Sequence, residues 1–137
     1  MASYEYCNHE KFKMYYHIIF STKYRKKLLG SIIDDIKASM KRAESMQNKW
    51  SIESMEIDTQ KCDHIHFLIR ATPTCQISEI IYKLKQISTY DMWQKHNQYL
   101  SKFYQSGKHY FWTKGYFCTT IGNVSEKTLH EYIENQD

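Results

Sequence analysis

The sequence contains only one proline and four glycines among its 137 residues. So few turn-forming residues disfavour long structureless linkers and predict regular helices and strands joined by short connections. No two of its cysteines form a C-x-x-C pair; they are scattered at Cys7, Cys62, Cys75 and Cys118. This scatter argues against a disulfide framework and against a structural zinc ribbon.

Long hydrophobic runs are also missing. No apolar stretch approaches the roughly 20 residues that a membrane-spanning helix needs, and the N-terminus lacks the charged-then-apolar pattern of a secretory signal. We therefore expect a cytoplasmic protein without a membrane partner. The simplest organisation is one domain, residues 1–137, which is long enough to bury a core.

Basic and aromatic residues are comparatively abundant. The net charge is +4, and 15% of the residues are aromatic, including 12 tyrosines. This combination suits a nucleic-acid partner, because lysine and arginine attract phosphates and aromatic rings stack on bases. A compact basic cluster runs from Thr22 to Lys27. It is either a solvated turn or a clamp for phosphate groups.

The spacing of apolar residues predicts the element order β-α-β-β-α-β. The strands are predicted at Tyr15–Ser21, Trp50–Thr59, Cys62–Arg70 and Tyr116–Ile121, and the helices at Ile32–Met46 and Ser78–Trp93. Two amphipathic helices packed on one face of such an antiparallel sheet give the ferredoxin-like, or RRM-like, fold of the α+β class. This arrangement leaves the other face of the sheet open. A further helix is predicted from Ser125 to Gln136, after a capping signal at Asn123 and Glu126.

The third predicted strand contains the sequence Asp63-His64-Ile65-His66. Because side chains alternate along a strand, His64 and His66 would lie side by side on the open face, opposite the apolar residues that face the helices. Two neighbouring imidazoles can chelate one divalent metal ion. Cys62 would share their face, at a spacing too stretched for easy three-point zinc binding. Since the chain has seven histidines, ordinary strand residues are an equal alternative for this pattern alone.

Four motifs, taken together, resemble the IS200/IS605 family of single-tyrosine transposases, which belong to the nucleases with two histidines flanking an apolar residue. They are Lys23-Tyr24-Arg25-Lys26-Lys27, Asp63-His64-Ile65-His66, Trp112-Thr113-Lys114-Gly115-Tyr116-Phe117 and Tyr132-Ile133-Glu134-Asn135-Gln136. The motifs occur in the family's order and at similar spacing. The family usually has proline where this sequence has Cys62, which we expect only to alter the turn. Most members also continue beyond the tyrosine helix, whereas this sequence ends at Asp137.

The resemblance implies a mechanism and a metal site. Tyr132 would be the nucleophile that attacks single-stranded DNA, leaving a 5′-phosphotyrosine and a free 3′-OH. His64, His66 and the carbonyl oxygen of Gln136 would bind a divalent metal, Mg²⁺ or Mn²⁺. Asp63 would orient His64, with capping of the hairpin turn as an equal alternative. No nucleotide cofactor is expected, because a phosphotyrosine keeps the energy of the broken phosphodiester.

The partners implied by the resemblance are single-stranded DNA with hairpin ends and a second copy of the chain. In the homodimer, the tyrosine helix of one subunit would complete the histidine pair of the other, forming composite active sites. The residues expected on the DNA surface are Lys23, Arg25, Lys26, Lys83 and Lys85.

Three alternatives stay open. The transposases associated with repetitive extragenic palindromes share the histidine pair and the tyrosine. A non-catalytic module that binds single-stranded nucleic acid is a second possibility, since ferredoxin-like sheets with exposed aromatics commonly bind RNA. A metal hydrolase ranks last, because the further acidic or histidine ligands of such sites are missing near the pair.

Overall fold

The protein is built on a sheet of four antiparallel strands in the spatial order β2-β3-β1-β4. The computed structural model describes residues 14–105 and 107–121. The strands are β1 (Met14–Ser21), β2 (Trp50–Ile57), β3 (His64–Ala71) and β4 (Phe117–Thr120). This is the strand order of the predicted ferredoxin-like fold. Strands β3 and β1, which pair with each other along their whole length, lie at the centre of the sheet.

Two long helices cover one face of the sheet. They are α1 (Ile33–Ser45) and α2 (Ile77–Lys95), and a short helix, α3 (Asn97–Leu100), follows α2 directly. Single 3₁₀ turns occur at Lys23–Arg25 and Leu29–Ile32. No helix in the described ranges is long and apolar enough to cross a bilayer.

The core lies between these helices and the sheet, as the apolar spacing predicts. From the sheet, Ile65, Phe67 and Ile69 of β3 are completely buried. The apolar stripes of the helices meet them; the residues involved are Ile36, Met40 and Ala43 of α1 and Ile80, Ile81, Leu84 and Ile87 of α2. Burial of these side chains is the main favourable contribution to stability, at about 1.5–3 kcal/mol for each large one.

The segment between α3 and β4 contributes to the core as well. Its residues Tyr104, Phe111 and Trp112 are buried. The indole Nε1 of Trp112 donates a 2.9 Å hydrogen bond to Ser88 Oγ, in the middle of α2. The aromatic residues of this segment are therefore largely structural.

The turn before β3 corrects one predicted boundary. The strand begins at His64, not at Cys62. Cys62 adopts the left-handed region with φ of 53°, and its N–H donates a 2.8 Å hydrogen bond to the carbonyl oxygen of Asp58. Its Sγ atom lies 3.0 Å from the position that a Cβ on Gly30 would occupy. The helix predicted at Ser125–Gln136 lies outside the described residues.

Candidate active site

Three histidines meet on the face of the sheet opposite the helices. His64 and His66 are alternate residues of β3, and His17 of the neighbouring β1 pairs with Leu68. The ring centroids of His64 and His66 are 5.0 Å apart. The His17 ring stacks on His66 at 5.3 Å, with an angle of 16° between the planes. The predicted side-by-side arrangement of the two β3 imidazoles is thus found.

These histidines are less accessible than an open sheet face would suggest. His64 and His66 are each only 7% exposed, and His17 is fully buried. The ring of Phe117, on β4, packs edge-on against His17 with centroids 6.1 Å apart. The sheet face that we expected to be open is therefore largely covered at the histidines. Hydrogen bonds and charges at the site act in a low-dielectric environment, which strengthens them.

Asp63 fixes the orientation of His64. The Nδ1–H of His64 donates a 2.8 Å hydrogen bond to Asp63 Oδ1, so in the neutral imidazole the lone pair lies on Nε2. Burial alone would raise the pKa of Asp63, but hydrogen bonds from His64 and Arg25 outweigh it and hold the pKa below its ordinary value. The carboxylate is therefore ionised at neutral pH.

Arg25 reaches Asp63 from the basic turn after β1. Its Nε lies 3.0 Å from Asp63 Oδ2. Arg25 and the preceding Tyr24 both have positive φ angles, 53° and 62°. Thr22 fastens the turn, because its backbone N–H donates to the carbonyl of Asp63 at 2.9 Å and its hydroxyl donates to the carbonyl of Lys26 at 2.8 Å. A tight, left-handed turn thus holds a guanidinium against the carboxylate that orients His64.

His17 is the site residue that the sequence analysis missed. Its Nε2 lies 3.1 Å from Nδ1 of His66. Burial, with the neighbouring His66 adding to it, lowers the pKa of His17 to about 4, so its imidazole is neutral at neutral pH. The alternation of β1 places His17 on the face opposite the core. Its proximity to His66 follows only from the register between β1 and β3, which a single sequence does not specify.

The histidine pair fits a divalent metal in its donor chemistry. Two imidazoles, one of them backed by a carboxylate, are a common metal-binding arrangement. Within residues 14–105 and 107–121, no cluster of three His, Cys, Asp or Glu could hold a metal ion. This finding gives no support to a zinc site that includes Cys62. The predicted third ligand, Gln136, and the predicted nucleophile, Tyr132, lie outside the described residues.

The predicted DNA-binding residues do not share one surface. Lys23, Arg25 and Lys26 share the basic turn beside Asp63, where Arg25 forms its ion pair. Lys83 and Lys85 lie on α2, but residues two apart on a helix point about 200° away from each other. They therefore do not form one patch.

The side chain of Lys85 contacts the segment that precedes β4. Its ammonium donates hydrogen bonds to the carbonyl oxygens of Thr113, Lys114 and Gly115, at 2.7, 3.1 and 2.9 Å. Burial lowers the pKa of Lys85. The side chain fastens the segment before β4 onto α2, and its role as a phosphate contact stays a prediction.

Sequence comparisons relate the chain to known transposases. The profile of the family described as "Transposase IS200 like" matches residues 10–136. The ISDra2 transposase TnpA of Deinococcus radiodurans is 29% identical over 126 residues, which cover 91% of this chain and 85% of the relative. The transposase for insertion sequence element IS200 of Salmonella typhimurium is 25% identical over 138 residues, covering 93% of this chain and 80% of the relative.

Solved structures agree with this relationship. A crystal structure from Deinococcus radiodurans R1, of a protein with a provisional assignment as a transposase, matches with a TM-score of 0.66 and 29% identity, covering 91% of this chain and 92% of that one. A REP-associated tyrosine transposase bound to a REP hairpin matches with a TM-score of 0.60, covering 85% of this chain and 61% of that one. At 12% identity, the second match shows the fold alone. Because the family profile spans almost the whole sequence, this chain belongs to the IS200-like transposase family.

Proposed function

We propose that this transposase cleaves and rejoins single-stranded DNA at insertion-sequence ends through a 5′-phosphotyrosine intermediate. The observation that carries the proposal is the buried pair of His64 and His66, with Asp63 hydrogen-bonded to His64. A transposase requires a site that can activate a phosphodiester, and this pair is the one arrangement of metal-ligand type on the described sheet face. Tyr132 as nucleophile and Gln136 as third ligand are carried over from the family resemblance.

The neighbours of the two histidines can stabilise the tautomers that metal binding would need. Asp63 accepts a hydrogen bond from the Nδ1–H of His64, which leaves the Nε2 lone pair of the neutral ring for a metal. For His66 to present Nε2 in the same way, its Nδ1 must carry the proton and donate a hydrogen bond to His17 Nε2. Neutral His17 with its own proton on Nδ1 can accept that hydrogen bond, so it would act as the orienting partner of His66 as Asp63 does for His64.

A metal ion bound here, Mg²⁺ or Mn²⁺, would supply charge stabilisation at the attacked phosphate and at the leaving oxygen. Imidazole and amide ligands suit Mn²⁺ better than the oxygen-preferring Mg²⁺. The phenolic oxygen of Tyr132 would form a bond to phosphorus while the bond to the 3′ oxygen breaks, and that oxygen leaves as a 3′-OH. A tyrosine with a pKa near 10 is only about 0.1% ionised at pH 7, so the reaction needs an activating site.

The proposed partners are hairpin-ended single-stranded DNA and a second copy of the chain. The basic turn from Lys23 to Lys26 lies next to the carboxylate that orients His64, so DNA phosphates attracted to it would be close to the metal ligands. The related fold of a transposase bound to a REP hairpin is consistent with a hairpin substrate. Homodimerisation with composite sites rests on the family resemblance.

One observation favours a second candidate, a non-catalytic module that binds single-stranded nucleic acid. Phe117 lies on the sheet face of the histidines and is 51% exposed, as expected of a residue that stacks on bases. Such a module would have no need of a carboxylate-oriented histidine pair, so we rank it below the transposase.

The test is covalent capture of DNA. Single-stranded DNA carrying candidate element ends is incubated with the protein and Mn²⁺ or Mg²⁺, and the products are separated on a denaturing protein gel. We expect a protein–DNA band for the unmodified protein and for Tyr90→Phe, an exposed tyrosine on α2 that serves as the matched control. We expect no band for Tyr132→Phe, His64→Ala or samples with chelator. Absence of any band, together with tight single-strand binding by every variant, would overturn the proposal and favour the binding module.

A further inference from the structure

Tyr24 is a large aromatic residue in an unusual setting. Its side chain is 65% exposed, although it lies in the turn that leads to the histidine pair. Its backbone is left-handed, with φ of 62° and ψ of 18°, and Arg25 follows in the same region. Residues with a β-carbon rarely adopt this conformation, which glycine or asparagine adopts more easily. Strain of this kind, held in place next to a candidate active site, is a reason to look for a function.

The Tyr24 ring is exposed but oriented. The rings of Tyr110 and Tyr104 contact it, with centroids 6.2 and 6.4 Å away. The ammonium of Lys23 lies 5.3 Å from the centre of the Tyr24 ring and 4.6 Å from that of Tyr110. The backbone of Lys23 is fixed on both sides, because its N–H donates to the carbonyl of Phe111 at 2.8 Å and its carbonyl accepts from the Tyr104 hydroxyl at 2.9 Å.

This aromatic cluster is coupled to the histidine pair through one residue. Arg25, directly after Tyr24, holds Asp63 at 3.0 Å, and Asp63 holds His64 at 2.8 Å. The exposed face of Tyr24 is therefore one residue away from the ion pair that orients a proposed metal ligand. Positive charges flank Tyr24 in the sequence, with Lys23 before it and Lys26 and Lys27 after it.

We propose that Lys23, Tyr24 and Tyr110 form a nucleotide-binding site for single-stranded DNA, in which Tyr24 stacks on an unpaired base beside the bond to be cut. Lys23 contacts the phosphate of that nucleotide, and the edge-on contact with Tyr110 keeps the Tyr24 ring in its orientation. An aromatic face beside cations is the usual means of binding an unpaired nucleotide, since every base has a π face. The left-handed turn then serves to present the ring next to the metal ligands. The inference rests on the proposed function, because it takes single-stranded DNA as the substrate.

The matched control for this site is Tyr82. It is also 65% exposed, but it lies on the regular helix α2 and outside the Lys23–Tyr110 cluster. Glycine at position 24 is the most informative variant. Tyr24→Gly removes the ring and also relieves the left-handed backbone, so a merely structural role and a DNA-binding role give opposite results.

The experiment measures binding without cleavage. Every variant carries Tyr132→Phe, and binding to single-stranded DNA with candidate element ends is followed by fluorescence, with 2-aminopurine placed at each position around the cleavage site in turn. We expect Tyr24→Gly to melt at or above the temperature of its parent but to bind about 5- to 150-fold more weakly, the range for loss of one stacked base. One 2-aminopurine position should be quenched by the parent and by Tyr24→Phe, and not by Tyr24→Gly. Tyr82→Ala should quench it as the parent does. Binding by Tyr24→Gly equal to that of its parent, or equal losses for Tyr24→Gly and Tyr82→Ala, would overturn the inference.

Failure of the nucleotide site can be distinguished from failure of the proposed transposase function. If the unmodified protein forms a covalent adduct and Tyr24→Gly in that background forms it equally well, the nucleotide site is wrong and the transposase proposal stands. If no protein forms an adduct but the position-specific quenching still depends on Tyr24, the nucleotide site stands and the proposed chemistry is wrong.

Discussion

Removal of the Asp63 carboxylate is expected to weaken metal binding at the histidine pair. In Asp63→Ala, the Nδ1–H of His64 loses its acceptor, so the ring is free to change tautomer and to rotate. The ion pair with Arg25 contributes little to this effect, because the Arg25 side chain is 58% exposed and solvent screens the interaction. The hydrogen bond from His64, whose side chain is only 9% exposed, therefore accounts for most of the expected loss of metal-binding free energy.

The expected loss can be stated as an affinity. Removing the partner of a metal-ligating histidine typically weakens metal binding about 10- to 100-fold, or about 1.4–2.7 kcal/mol. Asp63→Asn keeps an acceptor oxygen for His64 but not the negative charge, so its affinity should lie between those of Asp63→Ala and the unmodified protein. This order of the three affinities follows from the hydrogen-bond acceptor and the charge that each residue at position 63 supplies to His64.

The assay is titration with Mn²⁺, followed by the electron paramagnetic resonance signal of the free ion, with thermal unfolding measured in parallel. Asp91→Asn is the matched control, because Asp91 also accepts hydrogen bonds from an arginine but bridges α1 and α2. We expect it to bind Mn²⁺ as the unmodified protein does. Equal Mn²⁺ affinity in folded Asp63→Ala would refute the reasoning that Asp63 orients a metal-binding His64.

Three further variants test other contacts of the described residues. His17→Phe keeps a ring against His66 but removes the acceptor at Nε2, so Mn²⁺ affinity should fall by about tenfold. Ser88→Ala leaves the buried Nε1–H of Trp112 without its acceptor and should lower the free energy of unfolding in urea by about 1–2 kcal/mol. Asp91→Asn should destabilise the protein at neutral pH. Burial raises the pKa of Asp91, but hydrogen bonds from Arg42 and Ser39 outweigh it and lower the pKa, so this stabilisation is present above about pH 4 and is lost as the pH falls through the folded-state pKa.

For each of these variants, a specific result would contradict the reasoning. Unchanged Mn²⁺ affinity in His17→Phe would show that His17 does not orient His66. Ser78→Ala, at an exposed serine in the first turn of α2, is the control for Ser88→Ala and should stay within about 0.5 kcal/mol of the unmodified protein. A stability difference for Asp91→Asn that stays constant from neutral to strongly acidic pH would contradict the linkage argument.

Local periodicity predicted the main helices and strands. The predicted helix Ile32–Met46 is found at Ile33–Ser45, and the predicted strand Tyr15–Ser21 at Met14–Ser21. In both, the apolar side chains recur at the spacing of a single element, and this spacing decides which face is buried. The position of the His64 and His66 pair on the non-core face follows from the same alternation.

Features that depend on distant residues were not predictable. The stacking of His17 on His66 needs the register between β1 and β3, and the ion pair of Arg25 with Asp63 needs a left-handed turn. The three carbonyl contacts of Lys85 join residues about 30 positions apart in the chain. None of these has a local sequence pattern, because each results from packing of elements that are remote in sequence.

The turn before β3 limits how this protein can be engineered by reference to its relatives. The family usually has proline at the position of Cys62, so a consensus design would introduce Cys62→Pro. Proline fixes φ near −65° and has no N–H, whereas Cys62 has φ of 53° and donates to Asp58. The same exchange that suits the relatives would here break the turn that leads into His64. A β-carbon at position 30 would also lie 3.0 Å from Cys62 Sγ, so a redesign of position 30 has to take residue 62 into account.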